Sequence, residues 1–206
     1  MLDIITRLDA NIFILINSHH SGFFDYFFLV VSQLGNGWIA VPLAAVVIIA
    51  MTPRSYLAKA LIYAAIAGTL AGIANTQIKR AVHRSRPVIY FENQSLGREG
   101  SSMTISKLHA VHIVGRSWRQ RSFPSGHAAT AFAAATILAF LCGTWFSIGF
   151  IPAALVAYSR VYMGVHFPLD VLAGALLGVV VALLVALFFR RMKYLPRPIL
   201  LRRTRA

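Results

Sequence analysis

Three short groups of residues carry side chains that could handle a phosphoryl group. Lys79 with Arg86-Pro87 is the first, Pro124-Ser125-Gly126-His127 the second, and Ser159-Arg160 with His166 and Asp170 the third. Lys79, Arg86 and Arg160 are cations with few acids nearby, and cations gathered together attract an anion. A guanidinium offers a planar fork that matches phosphate oxygens in pairs, while an ammonium acts as a point charge. Ser125-Gly126 stands where a helix is expected to open, so free N–H groups and the positive helix end can hold phosphate oxygens. Glycine there lets the backbone come close. His166 and Asp170 stand at an i, i+4 offset and share one helix face. A carboxylate so placed can fix one imidazole tautomer and leave the other nitrogen nucleophilic. His127 is then the acid on the opposite side, protonating the leaving oxygen, with unlike surroundings dividing the two histidine roles.

Each group alone has a plainer reading. Lys79 and Arg86 could be interface anchors that snorkel to headgroups. Ser125 could simply cap a helix, and His166 with Asp170 could be a structural pair. A metal site is disfavoured, because the cations repel a divalent ion and Asp170 alone offers a nearby carboxylate. Ser125 as a hydrolase nucleophile lacks the preceding glycine of a nucleophile elbow. His19, His20, His83, His109 and His112 read as solvated or interfacial. Phe23, Phe24, Tyr26 and Trp38 read as belt or packing residues.

The elements that must position these groups are apolar helices. The chain has 206 residues, 58% of them hydrophobic and 13% charged, with 20 Lys+Arg against 6 Asp+Glu and a net charge of +14. Soluble domains carry about 25% charged residues, which argues against a soluble nucleic-acid binder, and the apolar content excludes a disordered chain. The single cysteine, Cys142, supports neither a disulfide framework nor a thiolate metal site.

A membrane helix needs roughly 20 apolar residues. Ala60 to Ile78, Ser125 to Phe146, Ser147 to Tyr162 and Leu169 to Phe189 qualify, the third by borrowing residues at its ends. Phe23 to Met51 is broken at Gly35-Asn36-Gly37 and is expected to be one kinked span rather than two short passes. Leu2, Ile5, Leu8, Ile12 and Leu15 recur at helical spacing, which predicts an interfacial amphipathic helix within residues 1–22 rather than a signal peptide. The expected fold is thus all-α: a multi-pass transmembrane bundle of five to six spans forming one domain over 1–206. A basic polar segment, 80–123, lies on the face where the three groups meet, because alternating spans bring all three to the same side. The basic tail, 190–206, falls on the other side with Arg54 and Lys59. The positive-inside rule favours a cytoplasmic tail, although the basic 80–123 segment pulls the opposite way.

In order and in every fixed position, Lys79 to Arg86-Pro87, Pro124-Ser125-Gly126-His127, and Ser159-Arg160 to His166 and Asp170 resemble the three-part signature of the type 2 phosphatidic acid phosphatase superfamily. The resemblance covers about half the chain. It implies hydrolysis of a phosphate ester or diphosphate through a phosphohistidine, with no metal and no cofactor. By that analogy His166 is the nucleophile, Asp170 orients it, and His127 is general acid and then base. Lys79, Arg86, Ser125, Gly126 and Arg160 hold the phosphate. The resemblance further implies a bacterial inner-membrane enzyme with its site facing the periplasm or exterior. Its substrate would be a membrane lipid phosphate of the undecaprenyl diphosphate, phosphatidylglycerol phosphate, phosphatidic acid or lipid A type, and its partners the bilayer and that lipid, not nucleic acid. A phosphotransferase using the same histidine, and a non-catalytic transporter or anchor, are the alternatives. Transport is the weaker of these, since the spans carry almost no ionisable residues away from their ends. The connection from Pro87 to Phe123, with Arg98, Lys107, Arg116, Arg119 and Arg121, exceeds what joins two adjacent helices. It is read as a lid or headgroup filter, or else as a plain basic loop on an anionic membrane.

Overall fold

A computed structural model describes residues 2–96, 111–115 and 121–194. Among the described residues the structure is helical and contains no strand. The helices are α1 (Leu2–Asn17), α2 (Gly22–Gln33), α3 (Gly37–Met51), α4 (Arg54–Ala81), α5 (Pro87–Leu96), α6 (Gly126–Cys142), α7 (Phe150–Tyr162) and α8 (Pro168–Arg191), with a short 3-10 helix at Thr144–Gly149.

The helix α4 and the helix α8 are long and apolar enough to cross a bilayer, and α2 with α3 make a third if that bent pair is one span. The bend is 62° and falls at Gly35-Asn36-Gly37, where Asn36 caps α3 by accepting the Trp38 N–H at 3.2 Å. The stretches from Ser125 and Ser147 yield shorter helices, α6 with 17 residues and α7 with 13.

The helix α6 is the hub and packs against α8, α4, α7 and α3. Its contact with α8 is backbone-close because Gly174 and Gly178 face it. A Cβ on Gly174 would strike the Ser125 carbonyl oxygen, and one on Gly178 the Ala129 carbonyl oxygen. Such small-xxx-small spacing lets two helices approach where lipid surrounds them, and Ala128, Ala129 and Ala133 complete the seam from the α6 side. The antiparallel run of α4 along α8 is fixed by the buried Tyr63, whose hydroxyl donates to the Ala182 carbonyl at 3.2 Å. Around it Ile48, Leu141, Cys142 and Phe189 form the core of the end far from the site. Lys59 lies over the Tyr194 ring and Arg190 over the Phe140 ring at that same end.

The amphipathic first helix forms as expected, with its stripe turned outward. Ile5, Leu8, Ile12 and Leu15 are exposed, while Asp9, Ala10, Phe13 and Asn17 are buried against α7 and α8. Asn17 ties α1 to the bundle by donating to the carbonyls of His112 at 2.8 Å and Tyr162 at 2.7 Å. His112 is more than solvated: it contacts Asp25 at 3.0 Å and stacks on His20 with ring centres 3.8 Å apart. Phe23, Tyr26 and Trp38 are exposed, as belt residues are. Within the 80–123 segment, α5 opens at Pro87, whose fixed φ suits a first helical position. Its Tyr90 and Phe91 pack on Phe167 and Phe13. Arg98, Lys107, Arg116 and Arg119 lie outside the described residues, as does the tail beyond 194.

Candidate active site

The turn from α7 into α8 sets the first pair. Gly164, at φ 74°, reverses the chain where a Cβ would strike the His112 carbonyl. The N–H groups of Val165 and His166 both donate back to the Arg160 carbonyl at 3.2 Å. Pro168 then opens α8, and the carboxylate of Asp170 accepts the Phe167 N–H at 2.8 Å. A carboxylate in the first turn satisfies a free N–H and complements the positive helix end. His166 is buried, with Nδ1 3.5 Å from Asp170 Oδ2. That geometry makes a close polar contact rather than a formed hydrogen bond, and Nδ1 has no hydrogen-bond partner. Burial lowers the His166 imidazole to about 4, with Asp170 opposing and Arg86 and Arg160 reinforcing the shift. At neutral pH the ring is therefore uncharged.

The opening of α6 supplies the second group. Ser125 N donates to the Asp170 carbonyl at 2.8 Å, which joins the α6 and α8 starts directly. Ser125 occupies the N-cap position, yet its hydroxyl makes no capping bond and is buried without a partner. Beside it, a Cβ on Gly126 would come 3.4 Å from the Asn75 amide nitrogen of α4. His127, half-buried, follows on the first turn.

The cations close the circle. Arg86 donates from Nη1 to the Val165 carbonyl at 2.9 Å. Arg160 is buried, and its Nε has no partner. Lys79 interacts electrostatically with Arg86, Asp170 and Arg160, and His127 with Arg160, His166, Lys79 and Arg86. Lys79, Arg86, Ser125, Gly126, His127, Arg160, His166 and Asp170 thus gather at one end of the bundle. The Ser125 hydroxyl and the Arg160 Nε are buried donors that the oxygens of a phosphate can engage.

Two further residues of this cluster escape a reading by motif. Arg84 donates from Nη1 to Asp170 Oδ1 at 2.7 Å and from Nη2 to Asp9. Asp9 also accepts the Leu169 N–H at 2.9 Å. The Arg84 guanidinium lies 4.4 Å over the Phe167 ring, and its two carboxylate partners raise its pKa against the opposing effect of burial. For Asp9 the signal in the sequence is scarcity. The chain holds 6 Asp+Glu, and an acid inside an apolar helix needs a partner.

From His127 a cavity of about 780 Å³ runs between α3, α4 and α6, lined mostly by alanine and glycine. Asn75 lies in its wall with Oδ1 unpartnered.

Helices suited to a bilayer, carrying a cationic pocket with two histidines at one end, define a membrane protein built to handle a phosphorylated compound. A profile of the PAP2 superfamily matches residues 57–194, and the chain belongs to that superfamily. It is 31% identical to the lipid A 4'-phosphatase of Bacteroides thetaiotaomicron over 86% of this chain and 75% of that one. It is 55% identical to an undecaprenyl-diphosphatase of Sulfolobus acidocaldarius, over a stretch that is 28% of each chain. The crystal structure of Aquifex aeolicus LpxE superposes with a TM-score of 0.69 at 30% identity, covering 86% of this chain and 94% of the other. A PAP2-type phosphatidylglycerolphosphate phosphatase from Bacillus subtilis shares the fold, with a TM-score of 0.63 at 20% identity over 94% and 90% of the two chains.

Proposed function

We propose that the protein hydrolyses a phosphomonoester or diphosphate of a membrane lipid through a phosphohistidine on His166. The observation that carries this is the meeting of His127, His166 with Asp170, and Lys79, Arg86 and Arg160 at one end of an apolar bundle. The ring nitrogen of His166 away from Asp170 attacks phosphorus, and the bond to the leaving oxygen breaks. With the negative charge of the bound phosphate beside it, His127 takes up a proton, gives it to that oxygen and becomes the base for the second step. Water then attacks the phosphohistidine, gives its proton to His127, and phosphate departs with the N–P bond broken. Lys79, Arg86, Arg160, the Ser125 hydroxyl and the Gly126 backbone hold the non-bridging oxygens throughout, with no metal required.

The apolar cavity beside His127 supports a lipid as the substrate, since a trough lined mostly by alanine and glycine suits hydrocarbon. Undecaprenyl diphosphate and lipid A type phosphates come first, on the strength of the relatives' names; phosphatidylglycerol phosphate and phosphatidic acid belong to the same class. The reading includes five passes, with α2 and α3 as one broken pass and α1 on the surface. It places the protein in a bacterial inner membrane, with the site toward the periplasm.

The test is phosphate release by the detergent-purified protein, with chelator present, from a panel of lipid phosphates and a diphosphate. His166→Ala is expected to abolish release while the protein stays folded, and Asp170→Asn to reduce it less. Release that persists in His166→Ala, or that chelator removes, overturns the mechanism. No release from folded wild-type protein would redirect the reading to phosphotransfer onto a lipid acceptor.

A further inference from the structure

Arg84 stands in the connector between α4 and α5, with Arg86 two residues on. Both side chains reach the turn into α8, Arg86 at the Val165 carbonyl and Arg84 at the Asp170 carboxylate. The connector is held by Ser122, whose N–H donates to the Arg84 carbonyl at 3.0 Å and whose hydroxyl donates to the Ser85 carbonyl at 3.1 Å. Arg84 therefore reaches the start of α8 from a fixed base. Its fork joins two carboxylates that are both almost wholly buried, Asp9 at 3% exposure and Asp170 at 0%. Two buried carboxylates so close together repel one another and lack solvent, and a shared guanidinium removes both costs.

The geometry points to Asp9 and Arg84 as positioning residues. We propose that Arg84 fixes the Asp170 carboxylate against His166, that Asp9 fixes Arg84, and that α1 is thereby a working part of the site. The inference rests on His166 being the nucleophile. Asp170 has one oxygen on Arg84 and the other on Phe167 N–H, and it is this second oxygen that lies beside the His166 ring. Freed from Arg84, the carboxylate can rotate and surrender the aim it gives the imidazole. Asp9 performs a second task by capping the first turn of α8 through Leu169 N–H, which seats the helix that carries Asp170.

The charges around His166 make the role testable. Asp170 faces the ring from α8, Arg86 from the connector, Arg160 from α7 and His127 from α6. Removing Arg84 takes away a positive charge near the ring, favours imidazolium, and moves the acid limb of kcat/KM to higher pH. Removing the Asp9 charge leaves the Arg84 charge less opposed, disfavours imidazolium, and moves that limb to lower pH.

The experiment compares wild type, Asp9→Asn, Arg84→Gln and His166→Ala as full chains in detergent, with pH profiles on one lipid phosphate and melting curves for each. Asp9→Asn and Arg84→Gln are each expected to lose about tenfold or more in kcat, the scale seen when the support of a reacting group is removed. KM is expected to stay within about twofold of wild type, because the phosphate holders are intact. The two acid limbs are expected to move in opposite directions, a pattern that mere loss of folded protein does not produce. Wild-type kcat and an unmoved limb in folded Asp9→Asn overturn the proposal even if Arg84→Gln does not fold, provided His166→Ala is inactive. Turnover that survives in His166→Ala overturns the proposal together with the reading beneath it.

Discussion

His166 is a histidine kept neutral by its surroundings, and its behaviour with pH follows from that. Burial sets its imidazole at about 4, below the ordinary value near 6.5. On the proposed mechanism, the folded ring above about 4 keeps the lone pair that attack on phosphorus requires. Activity is therefore expected to hold down to mildly acid pH and to fall as the ring protonates, which a kcat/KM profile from pH 3 to 8 checks. Stability carries the same sign. Between the two values the unfolded chain binds a proton that the folded one does not, so this contribution is present above roughly 6.5 and is lost as pH drops toward 4. Melting temperatures across that window read it out. Lys79, His127, Arg160 and His166 were legible because their types and order suit one chemistry. Arg84 and Asp9 were not, since the residues they bond lie 86 and 75 positions from one another along the chain, beyond any local spacing.

At the scale of the helix, Gly174 and Gly178 decide how near α8 comes to α6. Asp170, Gly174 and Gly178 are spaced at i, i+4, so one face of α8 carries both the close contact and the carboxylate. Gly178→Leu would drive a side chain into the Ala129 carbonyl and the Ala133 nitrogen. Overpacking of this kind costs about 1–3 kcal/mol. The expected outcome is a lower melting temperature together with loss of phosphate release, even though Gly178 lies two turns from the reacting groups. An unchanged melting curve would show that the seam can yield. Hydropathy alone found α4 and α8, because length and composition suffice for a long apolar helix. Gly35-Asn36-Gly37 announced the bend in the α2–α3 segment but not its angle, which depends on Gly35 lying against Val156 and His127. The helix α5 was invisible within a polar segment, since its apolar Tyr90 and Phe91 serve a partner, Phe167, that only the fold brings near.

For the whole molecule the charges sort by end. Lys79, Arg84, Arg86 and Arg160 stand at the site end and are drawn into it. Arg54, Lys59, Arg190, Arg191 and Lys193 stand at the opposite end. Among the described cations outside the site, the far end carries the larger group, the direction that the positive-inside rule asks of the proposed cytoplasmic far end, while the basic 80–123 segment pulls the other way. The buried Cys142 makes a quiet background for labelling. With an impermeant maleimide on intact cells, Ser18→Cys at the site end is expected to react and Ser55→Cys at the far end to react only after lysis. The reverse pattern would turn the site toward the cytoplasm.

The bond from Leu169 N–H to Asp9 spans 160 positions, and synthesis proceeds from the N-terminus. A ribosome making this chain emits the first helix long before the last, so for most of translation Asp9 has no α8 to cap. On the mechanism proposed above, the attacking His166 also emerges late, just ahead of α8, and its Asp170 carboxylate comes with the first turn of α8 itself. A nascent chain halted before α8 therefore holds the cations and both histidines but lacks the Asp170 carboxylate beside His166. On that mechanism the site is completed only when α8 closes back onto α1.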